Sequence, residues 1–425
     1  RDSRKGQLRG CRKEAWMKLG EGNWPEKAAK KDWILLCGVQ ACYWLTMTLH
    51  SSFLVFYLNQ KHYNTTVIAG ITLSMTIINL FVQPLWGYVA DAFLGIKRVL
   101  IVCFLGSIPT LLLLPVMVRF VWVTIILNFV YAVFNYPLQG LTDSITNIAA
   151  TRNKFVVFGF TRGCGSIAAS VGSLMIGFVL DFTATEMLFL IEALLLLLAA
   201  VFLLKYKNVP YGMKQKMAGS APEATDVGRA VAQLVKNPIY LLTLFSITLM
   251  NTGNRTTSFF VPILIDEYGG NNFHMGIALF LMCLLMAPCM VIHSRMLQKG
   301  IGNYMPLLMG AMLGVFRVGL LYFARTLHVL IGLQILQSFA YGFLQPSTVA
   351  AASEASAIQV RSTAISLAIA VTTVLGTLIG QIGGSVVSEY IGIHRTFLVS
   401  AAVTFIGILF YLPVMWHVRR PRAIS

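Results

Sequence analysis

Long apolar segments alternate with short polar ones along the whole chain. Each apolar segment holds at least 18 residues, and a helix needs about 20 to cross the hydrocarbon core of a bilayer. The strands of a membrane barrel would instead show alternating segments of about ten residues. We therefore predict an all-α integral membrane protein with 12 transmembrane helices. Their predicted ranges are 33–58, 66–90, 98–118, 120–142, 163–181, 187–204, 239–265, 273–293, 304–324, 327–350, 363–388 and 396–417.

One polar stretch is longer than the others and divides the chain into two halves. It runs from Lys205 to Pro238, and its prolines, glycines and lysines are typical of a linker. We predict five parts, namely a cytoplasmic tail over 1–32, a six-helix bundle over 33–204, a cytoplasmic linker over 205–238, a second six-helix bundle over 239–417 and a cytoplasmic tail over 418–425.

Short motifs recur at nearly the same offset in the two halves. Leu-Gly-Ile-Lys at 94–97 follows the second predicted helix, and Lys-Gly-Ile-Gly at 299–302 follows the eighth, 205 residues later. Asp181 ends the fifth predicted helix and Glu389 the eleventh, 208 residues later. Such a repeat predicts a duplicated bundle with a binding site between the halves, near the middle of the membrane.

The composition excludes a soluble protein and argues against nucleic acid as a partner. Only 12% of the residues are charged and 57% are hydrophobic, whereas soluble chains carry about 25% charged residues. The net charge is +17, but the basic residues lie in the gaps between apolar segments and in the tails, not on one folded face. With a cytoplasmic N-terminus, 27 of the 33 lysines and arginines lie on the cytoplasmic side. This bias predicts that both termini are cytoplasmic.

The polar residues form no pattern of an enzyme or a metal centre. The seven cysteines show no CxxC or Cys/His ligand spacing. A Ser/His/Asp set and a nucleotide-binding loop are also missing from the sequence. We therefore predict neither enzymatic activity nor a cofactor or metal.

A few charged residues lie inside or at the ends of the apolar segments, where unpaired charge is costly. Such residues usually mark the path of a ligand or an ion. They are Asp143, Arg162, Glu192, Arg255 and Arg317.

The stretch 83–98, Gln-Pro-Leu-Trp-Gly-Tyr-Val-Ala-Asp-Ala-Phe-Leu-Gly-Ile-Lys-Arg, resembles the signature loop between helices 2 and 3 of the major facilitator superfamily. The stretch departs from that signature at Ala92, where a basic residue is usual, and by one extra residue before its second glycine. The resemblance implies a gating role for the glycine, acidic and basic positions of the signature. These positions are Gly87, Asp91, Gly95, Lys97 and Arg98.

The stretch 158–166, Phe-Gly-Phe-Thr-Arg-Gly-Cys-Gly-Ser, is similar to the segment that opens helix 5 in the lactose-permease-like and nucleoside-symporter-like branch. The resemblance implies that Asp143 and Arg162 pair and bind ligand hydroxyl groups, because a carboxylate accepts and a guanidinium donates hydrogen bonds. Asp143 would also be the residue that couples transport to protons. The alternative is an ion pair that only holds helix 4 against helix 5.

The second half departs from lactose permease. Arg317 keeps that protein's arginine in helix 9, but Gln337 stands at its histidine position and Ala340 at its proton-carrying acid. Lactose itself and the lactose-permease proton relay are therefore not predicted. Arg317 and Gln337 remain candidate substrate-binding residues.

The seventh predicted helix, 239–265, adds two candidate substrate-binding residues, Asn254 and Arg255, within one helical turn. With Arg162 and Arg317 they give the predicted cavity more positive than negative charge, which suggests a ligand with some negative character. The alternative is that Arg255 lies near the outer mouth and pairs with Asp266 or Glu267.

These observations predict a secondary transporter in the cell membrane with several membrane passes. We expect it to move a sugar, glycoside or nucleoside by alternating access as a proton symporter, and to function as a monomer. The alternatives are a multidrug exporter or uniporter of the same fold, and a transporter-like receptor that binds ligand without moving it. The sequence predicts neither the individual substrate nor the direction of transport.

Overall fold

The computed structural model of the protein describes residues 26–150, 153, 155–206, 236–354 and 361–419. The predicted tails, apart from their edges at 26–32 and 418–419, and most of the predicted linker, over 207–235, lie outside these residues. The first half is the described chain up to residue 206, and the second half is the described chain from residue 236.

The first half is built from seven α-helices and one π-helical turn. The helices are α1 (Glu26–Gln60), α2 (Thr65–Val89), α3 (Ile96–Met117), α4 (Val121–Asn135), α5 (Pro137–Ala150), α6 (Phe158–Asp181) and α7 (Met187–Lys205), and the π-helical turn is Ala90–Leu94. Since α5 continues α4, the described chain of this half crosses the fold six times.

The second half is built in the same way. Its helices are α8 (Pro238–Glu267), α9 (Asn272–Leu284), α10 (Met286–Gln298), α11 (Tyr304–Leu321), α12 (Leu327–Gly332), α13 (Ile335–Glu354), α14 (Arg361–Thr377), α15 (Gly384–Ile391) and α16 (Ile393–Arg419), with a π-helical segment at Leu378–Gly383. The end of the molecule that holds Lys205 and Pro238 is called the linker end. The opposite end, with the turns after α1, α6 and α8, is called the distal end.

The predicted all-α membrane class is confirmed for the described residues. Ten helical stretches among them are long and apolar enough to cross a membrane. The α1 and α8 helices, of 35 and 30 residues, are long enough as well but are not among the ten. Twelve membrane crossings therefore remain a prediction. Large apolar side chains lie exposed on the outer surface, such as Trp122 at 79% and Phe81 at 68%, which suits contact with lipid.

The fourth helical stretch is longer than the sequence pattern indicates. The predicted segment ends at 142, whereas α5 continues to Ala150. Thr142 and Thr146 turn inward and are buried, so the hydropathy falls although the helix goes on. Asp143 consequently lies within the helix.

Backbone geometry supports the predicted duplication. Gly95 and Gly300, 205 residues apart, both precede a helix and have φ of 79° and 80°, a conformation that glycine adopts without strain. The turn after α1 also has its counterpart after α8, 207 residues later. His62 N–H donates to Asn59 O, and Gly269 N–H donates to Asp266 O in the same way.

Hydrogen bonds join the two halves at the distal end. Asn59 Nδ2 donates to Asp266 Oδ2 at 2.7 Å, and Thr72 Oγ1 donates to Gln381 Oε1 at 2.8 Å. The two acids of the predicted repeat also take part in such contacts. Asp181 accepts from Asn271 at 2.8 Å and Glu389 accepts from Thr66.

The α6 and α9 helices cross so closely that their backbones touch. A Cβ atom added to Gly177 would lie 2.7 Å from the Cα atom of Gly276. At the linker end, by contrast, a Cβ atom added to Gly87 would meet no heavy atom within 4 Å. The two halves therefore pack tightly where α6 meets α9, whereas no atom of the described residues lies close to the Cβ position of Gly87.

Candidate functional site

The structure brings Asp143 of α5 and Arg162 of α6 together, as the sequence predicts. Arg162 Nε lies 3.8 Å from Asp143 Oδ1, and the two side chains are 23% and 29% exposed. This distance is longer than that of a hydrogen bond, so the ion pair is loose. Both charged groups keep the capacity to form further hydrogen bonds with a ligand.

Two residues of α1 hold this pair in place. Gln40 Nε2 donates to Asp143 Oδ1 at 3.3 Å and to Thr146 Oγ1 at 3.0 Å, and Trp44 Nε1 donates to Gln40 Oε1 at 3.0 Å. The Arg162 guanidinium lies over the Trp44 ring at 3.5 Å, a cation–π arrangement. Neither Gln40 nor Trp44 belongs to a motif that singles it out in the sequence.

A glycine in the 158–166 motif explains how α6 approaches α1. A Cβ atom on Gly165 would lie 2.8 Å from Trp44 Cδ1 and 3.1 Å from Gln40 O. Any larger residue would push α6 away and separate Arg162 from Trp44. The motif therefore supplies both the cation and the space for its stacking partner.

The candidate residues of α8 diverge to different neighbours. Asn254 Oδ1 accepts a hydrogen bond from Gln337 Nε2 of α13, whereas Arg255 Nη2 donates to Thr373 Oγ1 of α14 at 3.4 Å. Among the described residues, no carboxylate lies within 4.0 Å of Arg255, so neither of the predicted alternative partners, Asp266 and Glu267, pairs with it in this structure. Asp266 instead accepts from Asn59.

Arg317 of α11 is buried and contacts neutral groups. Its Nη1 donates to Thr257 Oγ1 and its Nη2 to Gln334 Oε1, each at 2.7 Å. The partner on the tenth helical stretch is therefore Gln334, one turn before Gln337. Sequence reasoning missed Gln334 because the comparison with lactose permease directed attention to the histidine position.

Two tyrosines lie near candidate residues of the opposite half. Tyr341 of α13 lies close enough to Arg162 to interact with its charge, and Tyr136, between α4 and α5, does the same with Arg255. The two sets of candidate residues therefore face one region between the halves.

The predicted gating segment has mixed outcomes. Gly95 directly precedes α3 and has a φ of 79°, which glycine adopts without strain. Lys97 Nζ donates to Leu204 O at 3.2 Å and to Tyr206 O at 2.5 Å, which satisfies carbonyls at the C-terminus of α7. Arg98 is exposed on the first turn of α3, and the Asp91 side chain lies outside the described residues. A gating role for this segment, including Gly87, stays a prediction.

A buried pair that the sequence did not predict lies in the first half. His50 Nδ1 of α1 and Glu192 Oε2 of α7 are 2.9 Å apart, with side chains 5% and 0% exposed. The His50 ring stacks on Tyr131 at 4.0 Å between centroids. Each residue alone suggests only a local contact, and 142 positions separate them in sequence. Among the described residues, no group of three or more His, Cys, Asp or Glu could hold a metal ion.

The fold has two similar halves with a polar region between them and an apolar outer surface. These features are typical of membrane transport proteins. The model of the MFS_1 like family matches residues 39–399 of the chain. The chain therefore belongs to this family. The prediction that the protein is a transporter of the major facilitator type and not an enzyme is confirmed.

Relatives and solved structures agree with this assignment. The chain is 25% identical over 340 residues to maltose permease of Geobacillus stearothermophilus, covering 79% of this chain and 82% of that protein. It is 21% identical over 360 residues to YwbF of Bacillus subtilis (strain 168), an uncharacterized transporter, covering 83% and 86%. Its fold is similar to that of the nucleoside transporter NupG, with a TM-score of 0.72, 17% identity and coverage of 91% and 99%. A POT family peptide transporter has a similar fold, with a TM-score of 0.68, 15% identity and coverage of 93% and 98%.

Proposed function

We propose that this protein is a secondary transporter of a small polar solute, a sugar, glycoside or nucleoside, with Asp143 and Arg162 as its principal binding residues. The observation that carries this proposal is the geometry of the pair. A loose, partly exposed ion pair, held by Gln40 and stacked on Trp44, offers acceptors and donors at fixed positions. Polyol recognition needs both.

The second half supplies the remainder of the proposed site. Asn254 and Gln337 offer amide groups, and Arg255 offers a positive charge with no described carboxylate within 4.0 Å. A carboxylated or phosphorylated solute would compensate that charge, whereas a neutral one would leave it to water and hydroxyl groups. We therefore favour a ligand with some negative character. Arg317 belongs to this set only indirectly, because Thr257 and Gln334 hold its guanidinium.

Alternating access is supported by the contacts between the halves. Hydrogen bonds such as Asn59–Asp266 and the α6–α9 crossing join them at the distal end. Rocking one half against the other would exchange these contacts for others at the linker end. We further propose that the protein is a monomer in the cell membrane, with 12 membrane helices and with the distal end extracellular. Transport would be coupled to protons through Asp143.

One experiment tests first the function and then its coupling to protons. Purified protein is screened by thermal shift against sugars, nucleosides, sugar acids and organic anions, and the stabilising ligands are then used in liposome flux with and without a pH gradient. We expect saturable flux that an inward proton gradient accelerates. Flux that is the same with and without the pH gradient would contradict proton symport and favour a uniporter. Binding without flux would favour a receptor.

A further inference from the structure

A narrow cavity inside the second half lies beside the proposed ligand site. It is lined from α8, α11, α13 and α16 and includes Asn254, Arg317, Gln337, Tyr341 and Thr404. The cavity admits about one sphere of the size of a water molecule. A sugar or nucleoside does not fit into such a space, whereas a single small ion does.

The charge that faces this cavity has no counter-ion among the described residues. Arg317 is 2% exposed, and its two hydrogen-bond partners, Thr257 and Gln334, are neutral. Its Nε–H is buried and has no acceptor within the described part of the chain. A buried arginine in this situation needs an anion, since neutral acceptors satisfy its hydrogen bonds without compensating its charge.

Ionisable side chains inside the first half are arranged differently. Glu192, which is 0% exposed, lies 2.9 Å from His50, and Arg162 lies 3.8 Å from Asp143. The first half therefore places an oppositely ionisable side chain beside each of these groups. Arg317 has a cavity beside it instead.

We propose that this cavity binds a small inorganic anion of the size of chloride, held by Arg317 Nε–H and by the amide groups of Asn254 and Gln337. The lining also contains apolar side chains such as Met250 and Val318, which suits a weakly hydrated halide better than a strongly hydrated ion. Water fits the space by size but brings no negative charge. The anion site shares Asn254 and Gln337 with the proposed ligand site and adds Arg317 Nε–H, and its test requires no transport.

The test measures anion binding to the intact purified protein in detergent at constant ionic strength. Melting temperature is recorded while sodium gluconate is replaced by sodium chloride or sodium bromide, and ³⁶Cl⁻ binding is measured directly by scintillation proximity. We expect chloride and bromide, but not gluconate, to raise the melting temperature in a saturable manner. Equal melting temperatures in gluconate and chloride, or no saturable ³⁶Cl⁻ binding, would overturn the proposal.

Two variants and a control locate the site. Arg317→Gln should weaken chloride binding at least about tenfold, the loss expected when a hydrogen bond to a charged group is removed. Gln334→Glu places a carboxylate at the oxygen that already accepts from Arg317 at 2.7 Å, so it should stabilise the protein in gluconate and abolish the chloride response. This second variant tests the same site if Arg317→Gln does not fold. Arg325→Gln removes an exposed arginine and should leave the response unchanged. A chloride response that survives in Gln334→Glu would contradict the assignment to Arg317.

Discussion

The two halves share a backbone plan but treat charge inside the membrane in opposite ways. In the first half, Arg162 lies beside Asp143 and Glu192 beside His50. In the second half, Arg255 and Arg317 donate to neutral groups, and no described carboxylate lies within 4.0 Å of either. The duplicated fold therefore fixes where helices pass, whereas the charges inside each half suit different tasks. We infer that the ionisable side chains of the first half have their partners within that half, and that the second half obtains its counter-charge from ligands.

The largest expected effect comes from breaking the buried pair of the first half. His50→Gln leaves the Glu192 carboxylate buried without an ionisable partner. Because removing one member of a buried ion pair strands the other, we expect a loss of about 3–5 kcal/mol in the free energy of unfolding. The melting temperature in detergent measures this loss.

A double variant separates charge compensation from simple packing. His50→Gln combined with Glu192→Gln removes both ionisable groups and should recover most of the lost stability. If the double variant were as unstable as His50→Gln alone, charge compensation would not be the reason for the pair.

The next largest effect concerns the proposed binding pair. Arg162→Gln removes the cation that stacks on Trp44 and faces Asp143. We expect the affinity for the best ligand of the thermal-shift screen to fall about 100-fold, the equivalent of two lost hydrogen bonds to a charged group. Isothermal titration measures this change. Arg162→Lys should recover part of the affinity, and Arg119→Gln, at an exposed arginine, should keep all of it. If Arg162→Gln kept the wild-type affinity, the pair would serve only to hold α5 against α6.

A smaller effect is expected at the aromatic that supports this pair. Trp44→Leu removes the ring beneath Arg162, and we expect ligand affinity to fall by about threefold to tenfold because the guanidinium loses its cation–π contact. Trp44→Phe keeps a ring but loses the hydrogen bond to Gln40, so it should retain more affinity than Trp44→Leu. Equal affinities of the two variants would mean that stacking does not position Arg162.

The smallest effect concerns equivalent contacts at the distal end. Lys61 Nζ contacts Glu186 Oε1 at 2.6 Å in the first half, while Tyr268 Oη and His394 Nε2 make a contact of 2.7 Å in the second. The hydrogen bond from Lys61 lowers the pKa of Glu186 below its ordinary value of 4.5. A carboxyl group with a lowered folded-state pKa stabilises the fold above that ordinary value, and the stabilisation disappears as the pH falls through the lowered pKa.

The ion pair is partly exposed, with side chains 39% and 36% accessible, so its contribution should stay below about 1 kcal/mol. Lys61→Met should lower the melting temperature slightly at pH 7 and less at pH 3. The difference at pH 7 should also shrink in high salt, because salt screens exposed charges. A loss that is the same at both pH values would show that Lys61 acts through packing.

Much of the fold could be predicted from the sequence because lipid makes apolar segments easy to recognise. Helix ends were harder to predict where polar side chains turn inward, as in α5 beyond 142. The glycines at 95 and 300, on which the predicted duplication rests, have nearly equal positive φ values of 79° and 80°.

The candidate site could be predicted only in part. A motif with an arginine indicated the Asp143–Arg162 pair, but Gln40 and Gln334 carry no motif, and their roles depend on which helices are neighbours. His50 and Glu192 lie 142 positions apart, so their pairing required the packing of α1 on α7. Asn254 and Arg255 are adjacent in sequence, but their side chains form hydrogen bonds with different helices, α13 and α14.

The most direct test of the account is the charge preference of the ligand site. Liposome counterflow is measured for a matched pair of solutes that differ only in a carboxylate, with wild-type protein and with Arg255→Gln. The account predicts that wild type prefers the carboxylated solute and that Arg255→Gln loses this preference by about tenfold while transport of the neutral solute persists. Equal losses for both solutes, or a wild-type preference for the neutral one, would contradict the claim that the second half obtains its counter-charge from the ligand.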